Sequence, residues 1–214
     1  MYIPKHFEEP SIEVMHELIR ARPLATLVTL SSSRLNANHI PLHLAEVSLP
    51  FGILQGHVAR SNPMWSDFAK DIEVLAVFQD SNAYISPSWY ATKKETGKVV
   101  PTWNYAVVHA YGSLRVIDDA SWVRAQLEAF TAHNEAAFPE PWAVSDAPHD
   151  FTEKLIEAIV GIEIVVTKLS GKWKVNQNQP PLNQASVIQG LRASDERDAA
   201  SMAELVEAGA KNVR

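Results

Sequence analysis

The stretch "KVVPTWNYAVVHAYGSLRVI" runs from Lys98 to Ile117 and decides the fold. Side chains on a strand alternate between two faces, so its odd and even positions separate cleanly. Val99, Trp103, Tyr105, Val107, His109 and Tyr111 fall on the odd face. Val100, Thr102, Asn104, Ala106, Val108, Ala110 and Gly112 fall on the even one. Sustained alternation in β-branched and aromatic residues reads as one long strand. One face is bulky and aromatic; the other is small, with a polar patch at Thr102 and Asn104, and leaves room for a close neighbour.

On the N-terminal side, "LATLVTL" (24–30) and "NHIPLHLAEV" (38–47) flank a Ser/Arg/Asn turn and read as a hairpin. Pro41 inside the second strand marks an edge or a bulge, because proline cannot donate to a ladder. "FGILQGHVAR" (51–60), "IEVLAVFQD" (72–80) and "NAYISPSWY" (82–90) add three strands, which makes the long strand the sixth. Between them, "SNPMWSDFAKD" predicts a short helix capped by Ser61 or Asn62 with Pro63 at its first position. "SIEVMHELIRAR" predicts an N-terminal helix capped by Ser11, and "ASWVRAQLEAFTAHNEAAF" (120–138) a longer one. Asp150 and Glu153 have the spacing of a capping box at the head of "DFTEKLIEAIV". "IEIVVTKLSGKWKV" (162–175) returns to strand with a turn expected at Ser170-Gly171, and "SDERDAASMAELVEAG" predicts a closing helix. Hairpins dominate, so the expectation is a mainly β fold: an antiparallel barrel with helices packed outside it. One domain is expected over residues 1–191, with 192–214 as its helical tail.

The chain has 214 residues, 46% of them hydrophobic and 21% charged, ordinary values for a globular protein. A formal net charge of −6 argues against broad attraction to nucleic acid. The one compact basic cluster, Lys93, Lys94 and Lys98, sits around a turn at Gly97. Zero cysteines exclude disulfides, thiolate metal sites and cysteine nucleophiles. No apolar run approaches the roughly 20 residues of a membrane span. "MYIPKHFEEPS" lacks the pattern of a signal peptide, so a cytoplasmic protein is expected.

Among candidate functional residues, "GHVARSNP" (56–63) stands first. A strand ends in Arg60 and turns directly into a capped helix start, a setting suited to an anion. An arginine beside an ordinary helix cap is the equal alternative. His39 and His43 share a strand face without a carboxylate cluster, so no metal site is assigned. His57 and His109 lie beside the anion candidate and on the long strand, and either suits a haem ligand. Tyr84, Trp89, Tyr90, Trp103 and Tyr105 fall within 22 residues and suit a core, an interface or the wall of a flat cofactor. No G-x-G-x-x-G, Walker loop, G-x-S-x-G or H-E-x-x-H occurs, which disfavours dinucleotide binding of the usual kind, serine hydrolysis and zinc proteolysis.

"MYIPKHF", "NHIPLHL", "GHVARSNP", "VLAVFQDSNAYISPSWY", "VVPTWNYAVVHAYG" and "KLSGKWKVNQNQ" follow one another in this chain. Together they closely resemble the PaiB family of FMN-binding negative transcriptional regulators, over roughly residues 1–191. That family belongs with the FMN-binding split barrels that include pyridoxamine-phosphate oxidase. The resemblance implies a six-stranded antiparallel split β-barrel, a homodimer, and FMN held at the dimer interface. The small face of the long strand then packs against cofactor or partner chain, and the aromatic face fills the barrel. Asn38, His39, Ile40 and Pro41 are expected along the flavin ring. His57, Val58, Ala59, Arg60, Ser61 and Asn62 are expected at the phosphate end, with Arg60 ranked first. Gln79, Ser86, Thr102 and Asn104 are expected as polar contacts, and Lys172 and Gln177 from a late segment. The chain departs from the oxidase branch in offering only Arg60 before Lys70 near the short helix, and from the PaiB pattern in Gln179. The function implied is transcriptional regulation, with a flavin-dependent oxidoreductase activity on a small-molecule substrate. A haem-binding or haem-degrading split barrel is the alternative. Direct DNA binding is left open.

Overall fold

The ladder order of the sheet explains why residue 41 is proline. In this computed structural model, which describes residues 1–32, 34–45 and 49–211, eight strands form. They are β1 (Glu8–Glu9), β2 (Leu24–Leu30), β3 (Leu35–Pro41), β4 (His43–Ala45), β5 (Ile53–Ala59), β6 (Val74–Ile85), β7 (Thr102–Ile117) and β8 (Ile159–Lys174). Their order is β3-β2-β6-β7-β8-β5-β4, with β1 paired to β8. β3 and β4 thus lie at opposite ends of the path, yet only Leu42 separates them in the chain. The sheet must curl until its two ends meet, as the barrel reading expects. Pro41 ends an edge strand at that seam, where no ladder bond is lost, and the Leu42 N–H instead donates to the Pro23 carbonyl at 2.8 Å.

The six-strand expectation is corrected to eight. The hairpin strand expected over 38–47 is divided at Leu42, and its positions 46 and 47 lie outside the described residues, as does Ser33 in the turn before it. The two strands expected over 72–90 are one continuous β6. Its buried residues are Val74, Ala76 and Phe78, then Ser81, Ala83 and Ile85, so the alternation slips by one at Gln79 and Asp80. That slip imitates a strand boundary in the sequence. The turn expected at Ser170-Gly171 is absent as well, since β8 runs straight through it. Gly171 is there for closeness: a Cβ at that position would stand 2.9 Å from Met15 Cγ.

The faces of β7 are the reverse of the expectation. Ala106, Val108, Ala110, Gly112 and Leu114 are buried, while Trp103 is 54% exposed and Tyr105 and Tyr111 are half-buried. The small face is the interior one because neighbouring backbone approaches it directly, and tyrosine and tryptophan keep their polar ends toward water.

Among the described residues six α-helices accompany the strands: α1 (Ile12–Ala21), α2 (Lys93–Thr96), α3 (Ala120–Glu135), α4 (His149–Glu157), α5 (Pro181–Arg192) and α6 (Ala199–Lys211). Ser11 caps α1 as expected, its Oγ accepting from the Val14 N–H at 3.2 Å. The expected short helix is a three-residue 3-10 turn, Pro63–Trp65, with Asn62 Oδ1 accepting from the Met64 N–H at 3.0 Å. The capping box at Asp150 is not formed. α4 starts one residue earlier behind Pro148, and Glu153 pairs with Arg124 of α3 instead. α5 is not foreseen in the sequence. No helix among the described residues is long and apolar enough to cross a membrane.

The residues divide into two compact units, and β6, β7 and β8 contribute to both. The first unit holds Met1–Leu18, Gln79–His109 and the chain from Ser170 onward; the second holds Ile19–Phe78 and Ala110–Leu169. In the first, Ala83, Ile85, Tyr90 and Val175 pack with Val187 and Leu191 of α5 and Met202, Ala203 and Val206 of α6. In the second, Leu27, Leu54, Ile162 and Ile164 are fully buried, and α3 lies over the sheet with Trp122 against Gly161.

Candidate functional site

Within the second unit, the seam brings two of the expected segments together. Asn62 Nδ2 donates to Asn38 Oδ1 at 3.0 Å, joining the end of "HVARSNP" to the start of "NHIP". They line a cleft of about 260 Å³ whose other walls include Ser31, Arg34, Asn36 and Asp67. The cleft therefore offers a hydroxyl, several amides, one guanidinium and one carboxylate. Of the other residues expected here, Ile40 and Val58 are core, only 4% and 5% exposed. His39 is exposed, and its Nδ1 lies 3.2 Å from Thr26 Oγ1 across the β2–β3 pair. Pro41, Ala59 and Ser61 are exposed. Arg34 is the basic residue of the cleft; its place in a polar turn gave no signal in the sequence.

Arg60 has partners inside the chain. Its Nη1 and Nη2 donate to the two Asp118 carboxylate oxygens at 3.0 and 2.7 Å. Nε donates to the Glu157 carbonyl at 2.9 Å, and Nη2 also to that of Ile159 at 3.1 Å. The guanidinium ties the end of β5 to the end of α4 and the loop before α3, in the bidentate geometry arginine favours. The Arg60 hydrogen bonds hold the Asp118 carboxyl below its ordinary range. A depressed carboxylate stabilises the fold above its unfolded pKa, near 3.9, and that stabilisation is lost as pH falls through the folded value. Asp118→Asn is accordingly expected to lower the melting temperature at pH 7, and the difference from wild type to shrink as pH falls below about 3.9. Thermal melts across that range check it, and a constant difference down to pH 2 contradicts it.

His57 faces α3, its Nδ1 2.9 Å from Gln126 Oε1, which makes Nδ1 the protonated nitrogen when the amide oxygen accepts. His109 is half-buried, and burial lowers its pKa.

In the first unit, a second group of expected residues assembles. Asn104, 1% exposed, donates through Nδ2 to Asn176 Oδ1 at 2.5 Å. Asn176 Nδ2 donates to Tyr90 Oη at 3.2 Å, and Gln184 Nε2 of α5 donates to the Asn176 carbonyl at 3.3 Å. Asn176 sits at φ 63°, a left-handed conformation that asparagine tolerates better than most residues. Thr102 Oγ1 accepts from Lys174 Nζ, and these residues line a pocket of about 180 Å³.

The remaining expected residues have local duties. Lys172, 9% exposed, donates to the Tyr2 carbonyl at 3.2 Å with its Nζ over the Tyr105 ring. Gln177 bonds its own strand, accepting from the Val175 N–H at 2.8 Å and donating to the Trp173 carbonyl at 2.5 Å. Ser86 caps the 3-10 turn Pro87–Trp89, and Gln79 is exposed. In the lysine cluster, Gly97 closes α2 at φ 63° and Lys93 Nζ donates to Ser88 Oγ at 3.2 Å.

Residues 1–168 match the family described as "Putative FMN-binding domain". The chain belongs to this family. Among its relatives, "Protease synthase and sporulation protein PAI 2" of Bacillus subtilis (strain 168) is 32% identical over 210 residues, covering 97% of each chain. That relative bears out the PaiB resemblance. Two solved structures share the fold. The flavocytochrome Anf3 of Azotobacter vinelandii has a TM-score of 0.59 at 13% identity, over 80% of this chain and 72% of that one. The FAD and heme binding protein of Mycobacterium smegmatis has 0.55 at 16%, over 78% and 73%. The chain is thus a mainly antiparallel split-barrel protein of the FMN-binding family. The hydroxyl, amide and guanidinium groups of its Asn38–Asn62 cleft are of the type that donates to phosphate oxygens, and the Asp67 carboxylate is the opposing charge in the same lining.

Proposed function

We propose that the protein binds FMN with its phosphate in the Asn38–Asn62 cleft, and that it acts as a flavin-dependent redox protein with a regulatory outcome. The Asn62–Asn38 hydrogen bond carries this reading, because it places both expected segments in one cleft beside Arg34. FMN supplies the electron and hydride chemistry; the chain supplies binding and orientation. Arg34 provides the charge for the phosphate, and Arg60, engaged by Asp118, braces the strand end next to it. A homodimer with flavin between its copies agrees with the half-exposed aromatic face of β7. A regulatory role rests on the PaiB resemblance; the net charge of −6 points to an indirect one, through metabolite turnover.

Fluorescence titration of FMN into the purified chain, with sedimentation of the complex, tests the proposal. Arg34→Ala is expected to weaken FMN binding about tenfold, the value of one charge-assisted hydrogen bond. Arg60→Ala is expected to leave it within about twofold while lowering the melting temperature. The reverse ranking moves the phosphate to Arg60. A haem-type absorption band in place of a flavin spectrum favours the haem alternative at His57 or His109.

A further inference from the structure

The pocket in the first unit, about 180 Å³, has room for a small molecule. It is also one-sided in charge. Lys98 and Lys174 line it, and no aspartate or glutamate does. Lys174 is half-buried, and its Nζ donates to two neutral acceptors, Thr102 Oγ1 and the Trp103 carbonyl at 2.6 Å. Among the described residues no carboxylate lies within ion-pair distance of it. A partly desolvated cation with no counter-ion costs free energy that an anionic ligand would recover. Burial, and after it the nearby Lys172, push the Lys174 pKa down, in keeping with that imbalance. An ammonium has three donors, so one N–H is left for a ligand. Phe7 and Val99 supply apolar lining.

We propose that this pocket binds a small organic acid, its carboxylate at Lys174 and Thr102 and its carbon body against Phe7 and Val99. A free phosphate fits less well, because it gains nothing from the apolar lining. The flavin proposal and this one rest on different residues, since the lining of this pocket and that of the Asn38–Asn62 cleft have none in common.

Isothermal titration of the full chain with propanoate, benzoate, uncharged benzamide and inorganic phosphate tests it, before and after saturation with FMN. One of the two acids is expected to bind with a Kd below about 5 mM, and benzamide at least tenfold more weakly than benzoate. Lys174→Gln is expected to weaken the acid by about tenfold, and Lys98→Gln, an exposed position that cannot disturb folding, by about threefold. Saturation with FMN is expected to leave acid binding within about twofold. The proposal is overturned if neither acid binds at about 20 mM, if benzamide or phosphate matches the acids, or if FMN displaces them. Unchanged affinity in Lys98→Gln and a folded Lys174→Gln together overturn it too.

Discussion

Gly112→Ala is expected to destabilise the protein by about 3 kcal/mol and to lower its melting temperature by roughly 6–12 °C. A Cβ at position 112 would stand 2.3 Å from the Val165 carbonyl oxygen and 2.8 Å from Ile164 Cγ2. The first atom is backbone in a hydrogen-bonded neighbour, so it cannot rotate away. β7 and β8 would have to separate by roughly 0.7 Å before the contact became tolerable. Overpacking in a core costs about 1–3 kcal/mol when side chains can adjust, and a rigid ladder places this case at the upper end. Gly97→Ala is the control. It has φ 63° but nothing within 4 Å, so it isolates backbone strain from steric clash and should cost about 1–2 kcal/mol. Chemical denaturation of both variants checks the pair. A Gly112→Ala loss under about 1 kcal/mol would mean that the two strands are not held as closely as described.

That glycine also shows what was legible in the sequence. Period-two alternation marks β7 as one long strand, because both of its faces keep their phase for sixteen residues, but it starts the strand four residues too early, at Lys98 instead of Thr102. Alternation cannot say which face is inside. Bulk suggested the aromatic one, but the interior is set by how near the β8 backbone comes to Gly112. β6 was divided in two by a one-residue slip of phase at Gln79 and Asp80, and β8 was given a turn at a glycine that exists to seat Met15. α5 was missed because its buried face mixes Asn183 and Gln184 with Val187 and Leu191, which weakens the apolar stripe that marks a helix.

The candidate sites were legible in composition but not in pairing. "NHIP" and "HVARSNP" stand out in the sequence as separate segments. Their meeting through Asn38 and Asn62 depends on β3 and β4 lying at opposite ends of a curled sheet, which follows from ladder order and not from local pattern. Asn104 and Asn176 are 72 residues apart and meet for a similar reason. Arg34 and Lys174 carry no signal in the sequence, because a single basic residue in a turn or a strand has no distinguishing neighbours there. Arg60 was noticed for its position at a strand end, and the groups that engage it, Asp118 and two carbonyls, come from elements far along the chain.

Asn104→Leu is expected to cost about 2 kcal/mol, or roughly 4–8 °C in melting temperature, although leucine matches asparagine closely in size. The substitution removes the donor to Asn176 Oδ1 and leaves that acceptor in a buried site, Asn176 being 3% exposed. An unsatisfied buried acceptor costs about 1–3 kcal/mol, more than the net value of the bond itself. The loss spreads further, because Asn176 also donates to Tyr90 Oη and receives Gln184 at its carbonyl. With its left-handed backbone loosened, the chain leaving β8 loses its tie to α5. Asn176→Gly separates these contributions. Glycine relieves the positive φ but deletes both side-chain hydrogen bonds, so its net loss should be near 1–2 kcal/mol. In the Asn176→Gly background no buried Oδ1 remains to be orphaned, and Asn104→Leu should then cost under about 0.5 kcal/mol. A coupling energy of about 1.5 kcal/mol between the two positions is the expected result of the double-mutant cycle. Strict additivity would mean that Asn104 stabilises the unit through its own packing, and the amide network would lose its place in holding β7 to the end of β8.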